Sequence, residues 1–457
     1  MERTVRIGNG QGFWGDSPDA AWELLTRGPV DYIGLDYLAE VTLSIMMRQR
    51  LRDPHKGYAT DFVGFLRRAL PVIAEKGVKV VTNAGGLNPG ACRDEVGKLA
   101  RELGIRGLKV GIVVGDDVRD RIPELCAAGH HLAHMDTGDW LCRVPHTKVL
   151  SANVYLGAAP VAKALDEGAQ IVVAGRITDT SLALGPLMHE FGWRTDDWDR
   201  LAAGTIAGHI IECGAQCTGG NYTRWWEVPD LWDVGYPVLE CAGDGSFVVT
   251  KHPGTGGLVS VATVSEQLVY EMGDPRRYIT PDCIADFTSV RLEQVGEHRV
   301  RVTGVRGEPA TDTYKVSASF HEGYKASGQV VVSGPRAVEK AQLAADLVWR
   351  RLARAGVEFP AGDRLVEILG TGVCHPGVVE PPSDPPEVVL RLGVRSASRE
   401  AVARFGMELA PLVTTGPPGV TGFAGGRPKP AEVIAFWPAL IAKDQVDPFV
   451  EVSVETV

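Results

Sequence analysis

Short apolar runs closed by glycine and polar residues recur through the first half of the chain, and the stretches between them carry apolar positions at helical spacing. Residues 5–7, 30–35, 78–82 and 108–114 read as strands. Helices are expected after Asp16-Ser17-Pro18, a start signal, and over 61–75 and 90–103. Residues 149–155 read as a strand, 158–167 as a helix, and 169–174 as a run apolar enough to be covered on both faces. The spacing predicts a parallel pair from those two strands, followed by helices over 182–191 and 201–212. A hairpin over 237–250 turning at Gly243-Asp244-Gly245, and a helix over 263–272, complete this half.

From Asp286 the pattern changes to alternating strands at 289–295, 298–305, 314–320 and 329–333, then a helix over 337–355. A strand at 388–394, a helix over 399–412 and a breaker-rich loop at 414–430 follow. A chain of 457 residues exceeds one ordinary core. The expected class is α/β: residues 1–284 form a mostly parallel sheet with flanking helices and carry the site, and residues 285–457 form a second, α+β domain with antiparallel strands.

In open α/β sheets ligands sit beyond the strand C-termini, and here several strands exit into polar, glycine-bearing loops. One rim would therefore collect Asn9, Asp36, Asn83 and Arg176. Arg176 suits a carboxylate or oxyanion, Asp179 or Glu212 acid/base work, and Asn83, Thr218 and Asn221 positioning. A plain ion pair between Arg176 and Asp179 is the competing account. Asp36 and Glu40, four apart, either share a helical face for a cation or proton transfer, or serve as cap and ion-pair partner. The Gly8-x-Gly10-x-Gly12-x-x-Gly15 turn reads as a dinucleotide fingerprint or as a tight turn presenting backbone N–H groups. Lys251, with Thr255 among Gly254, Gly256 and Gly257, forms a candidate anion cradle without the Gly-Lys-Ser/Thr of a Walker loop. His130 and His134 lie a helical turn apart near Asp136 but lack an interposed glutamate, so a surface turn is expected there and no metal. The aromatic stretch 223–232 suits an apolar wall or packing between domains.

The net charge of −10 and the absence of a basic run argue against nucleic acid and anionic membrane as partners. No apolar run approaches a membrane span, and the first residues lead into a strand, so a cytoplasmic location is expected. Eight scattered cysteines without a CxxC pair suggest reduced thiols. Cys213, at a helix C-terminus, reads as a buried thiol or a nucleophile.

Several motifs resemble the acyclic terpene utilisation, AtuA-like family: Ala174-Gly175-Arg176-Ile177-Thr178-Asp179, Ile211-Glu212-Cys213-Gly214-Ala215-Gln216, Thr218-Gly219-Gly220-Asn221 and Gly254-Thr255-Gly256-Gly257. The likeness extends from Gly8-Asn9-Gly10-Gln11-Gly12 across nearly the whole chain. It implies a bacterial catabolic setting in which citronellol- and geraniol-type acids are degraded as coenzyme A thioesters, and it implies neither a reaction nor residue roles. The expected function is an enzyme acting on a branched acyl-CoA thioester or related acid by hydration or dehydration, hydrolysis or carbon–carbon cleavage. A non-catalytic acyl-CoA-binding subunit is the alternative. Coenzyme A would enter as part of the substrate, with no tightly bound cofactor, and the chain would form a homo-oligomer.

Overall fold

Ile171-Val172-Val173-Ala174 is buried at all four positions and lies between two parallel neighbours, as a run apolar on both faces requires. The structure, a computed structural model, describes residues 3–39, 42–378, 380–422 and 425–457. In chain order the elements begin with β1 (Thr4–Gln11), α1 (Ala20–Arg27), β2 (Tyr32–Leu35), α2 (Thr42–Arg52), α3 (Thr60–Lys76), β3 (Lys79–Thr82), α4 (Pro89–Glu102), β4 (Lys109–Val114) and α5 (Ile122–Ala127). They continue with β5 (Val149–Val154), α6 (Ala159–Asp166), β6 (Ile171–Ala174), α7 (Ser181–Phe191), α8 (Trp198–Glu212), β7 (Pro237–Ala242), β8 (Phe247–Lys251) and α9 (Val261–Leu268). Next come β9 (Tyr278–Ile279), β10 (Ile284–Asp286), β11 (Arg291–Gly296), β12 (Arg299–Thr303), β13 (Arg306–Glu308), β14 (Thr313–Ser333) and α10 (Ala337–Arg354). The chain closes with β15 (Arg364–Leu369), β16 (Glu387–Ser396), α11 (Arg399–Phe405), α12 (Leu412–Thr415), β17 (Val420–Thr421), β18 (Ala431–Ala442) and β19 (Glu451–Thr456).

Two compact units result: Met1–Ser319 with Phe436–Val457, and Phe320–Ala435. The first is built on a sheet of order β11-β12-β8-β7-β1-β2-β3-β6-β4-β19. Its centre, β1-β2-β3-β6-β4, is parallel, so the C-termini of those strands share one edge. The β7–β8 hairpin, β12 and β11 extend it antiparallel on one side and β19 on the other. Helix α3 shows how the core is covered: Phe62, Leu66, Ala69, Leu70 and Ile73 recur at helical spacing and are buried, and Gly77, at φ 69°, ends the helix in the left-handed region. Truncating Phe62 to alanine would cost about 3–5 kcal/mol.

Two expectations fail in instructive ways. Residues 149–155 do not pair along β6; β5 pairs with β14, and only the isolated bridge Leu156–Ile177 links the two segments in parallel. Apolar content identifies a strand but not its partner. The strands expected at 314–320 and 329–333 are parts of one strand, β14, of 21 residues. Gly323 lies within it and serves close approach, since a Cβ there would lie 2.7 Å from the Ser396 carbonyl oxygen.

The second unit packs α10 and α11 on one face of antiparallel β15-β16-β14-β17, with Val330, Val332, Leu390, Leu392, Val348 and Phe405 in its core. Cys126 and Cys142, expected as free thiols, form a disulfide with Cα atoms 5.9 Å apart. They stand 16 positions apart, too far for the spacing rules that flag metal or redox pairs, and the return of the chain after α5 brings them together. Among the described residues no helix is long and apolar enough to cross a membrane.

Candidate functional site

Beyond the C-terminal edge of the parallel strands the first unit encloses a cavity of about 420 Å³, within the range of small-molecule sites. Arg176, Asp179 and Glu212 line it together with His209, Glu271 and Lys315. Arg176 arrives there because β6 ends at Ala174 and Gly175 turns the chain; a Cβ on Gly175 would fall 2.3 Å from Oδ1 of Asp116. Glu212 is the last residue of α8, a helix buried on all sides from Leu201 to Ile211. Gly208 lets that helix lie against the backbone of Thr180, which a Cβ would meet at 2.7 Å.

Both terminal nitrogens of the Arg176 guanidinium are engaged by its surroundings. Its Nη1 donates to the Leu38 carbonyl at 2.9 Å, its Nη2 to Oδ1 of Asp179 at 3.0 Å, and its Cζ stands 4.1 Å from the centre of the Tyr155 ring. The side chain is 4 % exposed and that of Asp179 35 %. One layer behind, Asn83 donates to Oδ1 of Asp36 at 2.6 Å and accepts from the Tyr37 amide at 2.7 Å. Burial pushes the Asp36 carboxyl well above its ordinary range, with Asp179 adding repulsion and Arg176 opposing both. The strand ends β2, β3 and β6 are thus tied through Asn83, Asp36, Leu38 and Arg176.

His209 and Glu212, three apart on α8, meet with Nδ1 2.9 Å from Oε1, an ion-pair contact rather than an in-line hydrogen bond. Nε2 of His209 lies 3.0 Å from the Gln267 carbonyl, an acceptor only, so Nε2 carries a hydrogen. Nδ1, the nitrogen that faces the carboxylate, is therefore the one that can gain or lose a proton. Burial pushes the imidazole pKa down, but the close negative charge of Glu212, aided by the Gln267 carbonyl, outweighs it and the net shift is upward. Burial also raises Glu212, against the pull of His209 and with Asp179 and Glu271 adding to it. Amide Nε2 of Gln267 donates back to the His209 carbonyl at 3.0 Å, clasping α8 to α9. Asn9 holds the end of α8 by donating to the carbonyls of Ile211 and Glu212, the second at 3.0 Å.

The remaining sequence candidates lie elsewhere. Thr218 Oγ1 engages the carbonyls of Ala215 at 2.9 Å and Gly235 at 2.6 Å. Asn221 is exposed at φ 56°, a turn conformation, and does not line the cavity. Lys251 donates to the Thr255 carbonyl at 2.7 Å, and Thr255 Oγ1 to the His252 carbonyl at 2.8 Å, so that loop satisfies itself. Glu40 is outside the described residues. Burial pushes the Cys213 thiol up to about 12, which removes it as a nucleophile near neutral pH. His131 stacks on Trp140 at 3.8 Å, and Nδ1 of His134 accepts from the Asp136 amide at 3.1 Å. Among the described residues no group of three or more His, Cys, Asp or Glu is placed to hold a metal ion. Trp225, Trp226 and Trp232 are exposed and form no wall of the cavity.

Sequence reasoning missed His209, Glu271, Tyr278 and Lys315. The i,i+3 spacing of His209 and Glu212 was a readable signal; the other three come from segments whose approach only the tertiary fold decides.

The sequence model of one family, described as acyclic terpene utilisation family protein AtuA, matches residues 5–452. No curated protein and no solved structure matches the chain.

Proposed function

Since the chain belongs to the acyclic terpene utilisation family, we propose that it is a catabolic enzyme that moves a proton on a branched acyl compound, an acyl-CoA thioester or the related acid, with His209 and Glu212 as the acid–base pair. The observation that carries this reading is the Nδ1–Oε1 contact of 2.9 Å within the cavity, with the far nitrogen held by Gln267. A carboxylate backed by an imidazole can take a proton from a substrate and return it, the step common to hydration and dehydration beside a carbonyl. The high pKa of the Cys213 thiol argues against covalent thioester hydrolysis through that residue.

Purified protein tested on branched acyl-CoAs and their free acids, with exchange of the α-hydrogen followed in D2O, examines the proposal directly. Glu212→Gln should lower exchange and turnover about 10²–10⁴-fold while leaving the melting temperature close to that of the wild type. An acyl-CoA bound but left unchanged by the wild-type chain would instead make it a non-catalytic binding subunit.

A further inference from the structure

Six side chains of the Arg, Lys, His, Asp and Glu types line the cavity: Arg176, Asp179, His209, Glu212, Glu271 and Lys315. Four pair off, Arg176 with Asp179 and His209 with Glu212. Lys315 does not pair. Its ammonium has no hydrogen-bond or ion-pair partner among the described residues and stands beside two rings, 5.0 Å from the centre of Tyr155 and 5.8 Å from that of Phe436. The backbone fixes its place, because the Tyr155 amide donates to the Lys315 carbonyl at 2.9 Å. Thr311, Thr313 and Lys315 alternate along the chain into β14 and all face the cavity, as the period of a strand requires. Glu271, the remaining carboxylate, acts electrostatically on His209, Glu212 and Tyr278 and forms no ion pair with Lys315 among the described residues.

A half-buried ammonium beside aromatic rings keeps part of its attraction for anions and lacks the partner that would satisfy its donors. The Tyr155 ring also receives the Arg176 guanidinium at 4.1 Å, so two cations concentrate positive potential on this side. Arg176 is already committed to Leu38 and Asp179, which leaves Lys315 as the cation open to a ligand.

We propose that Lys315 anchors a carboxylate of the ligand, so that the cavity takes a branched acid bearing a free carboxylate, held by its anionic end with its hydrocarbon body reaching toward His209 and Glu212. This rests on the reading of the cavity as the substrate site. A single carboxylate suits it better than a phosphate, because a doubly charged group would face Asp179, Glu212 and Glu271 across a small volume.

The experiment is calorimetric binding of 3,7-dimethyloctanoate and of 3,7-dimethyloctanamide, its uncharged analogue, to the full chain. The wild type should bind the acid at least about tenfold more tightly than the amide, a difference of about 1.4 kcal/mol. Lys315→Met should lose that preference and Lys315→Arg should keep it, both melting near the wild-type temperature. Equal binding of acid and amide by the wild type, no saturable binding of either, a preference surviving in Lys315→Met, or displacement of the acid by inorganic phosphate at similar concentration would each overturn the proposal. Binding needs no turnover, so Glu212→Gln should retain the acid preference; loss of catalysis and loss of anchoring are then separate results.

Discussion

The backbone amide of Arg176 donates to Oδ2 of Asp116 at 2.8 Å, so a carboxylate just past the end of β4 holds the first turn beyond β6. Asn153 donates to the same oxygen at 2.7 Å. Burial outweighs both bonds and pushes the Asp116 carboxyl up to about 7. A carboxyl that holds its proton more tightly folded than unfolded binds more protons in the native state between about 4 and 7, so its contribution to stability falls as pH rises through that window and stays lost above it. We expect Asp116→Asn, which keeps an acceptor for Arg176 and Asn153, to flatten that dependence. Melting temperatures of both proteins from pH 4.5 to pH 8, at fixed ionic strength, check it; parallel curves would refute the assignment.

Arg176→Ala should lower stability as well as activity. The side chain joins the loops after β2 and β6 through Leu38 and Asp179, and its loss leaves Asp36 buried without the cation that offsets it. A fully buried pair broken on one side costs about 3–5 kcal/mol; with Asp179 35 % exposed, about 2–4 kcal/mol is expected. Urea unfolding measures this, and an unchanged midpoint would show that the guanidinium does not hold the rim.

Two glycine-to-alanine substitutions should have opposite signs. In a free helix the change stabilises by up to about 1 kcal/mol. Gly64 on α3 is exposed with nothing within 4 Å of an added Cβ, so Gly64→Ala should gain most of that. Gly208→Ala would drive a Cβ to 2.7 Å from the Thr180 backbone and should cost about 1–3 kcal/mol. It should also reduce turnover by moving His209 and Glu212 away from Arg176. Paired chemical denaturation curves decide both signs.

The disulfide makes a separate forecast. Cys126 and Cys142 close a loop that carries Met135, a residue lining the cavity. Cys142→Ser should lower stability by about 3 kcal/mol. Reductant should lower the melting temperature of the wild type toward that of the variant and leave the variant unchanged. Two free thiols at these positions in the untreated native protein, found by alkylation and mass spectrometry, would contradict the bond.

Where the physics is local, the chain could be read from its residues. The runs at 32–35, 79–82, 109–114 and 171–174 are short, apolar and closed by polar exits, and a parallel sheet places those exits on one edge without further information. Arg176 and Asp179 were legible because their position depends only on the strand before them. Lys315 was not, since one lysine in an alternating strand differs from any surface lysine until Tyr155 and Phe436 come beside it. Thr218, Lys251 and Thr255 show the opposite difficulty: a polar, glycine-rich loop looks alike in sequence whether it awaits a ligand or satisfies its own carbonyls. The 126–142 bridge escaped for a related reason, because spacing along the chain carries no measure of distance across a loop.

The clasp between His209 and Gln267 leaves the dyad with a single doorway. Nε2 is spent on a carbonyl inside the protein, so a proton taken up at Nδ1 can leave only through the cavity. A ligand filling that space would shut the proton in with it. Under the proposed chemistry, a hydrogen removed from a substrate is then held until the ligand shifts, so its exchange into D2O, though dependent on Glu212, should be slow beside turnover. Retention of label, followed through a single turnover, would make the enzyme a courier of its own substrate's hydrogen rather than an exchanger with the solvent.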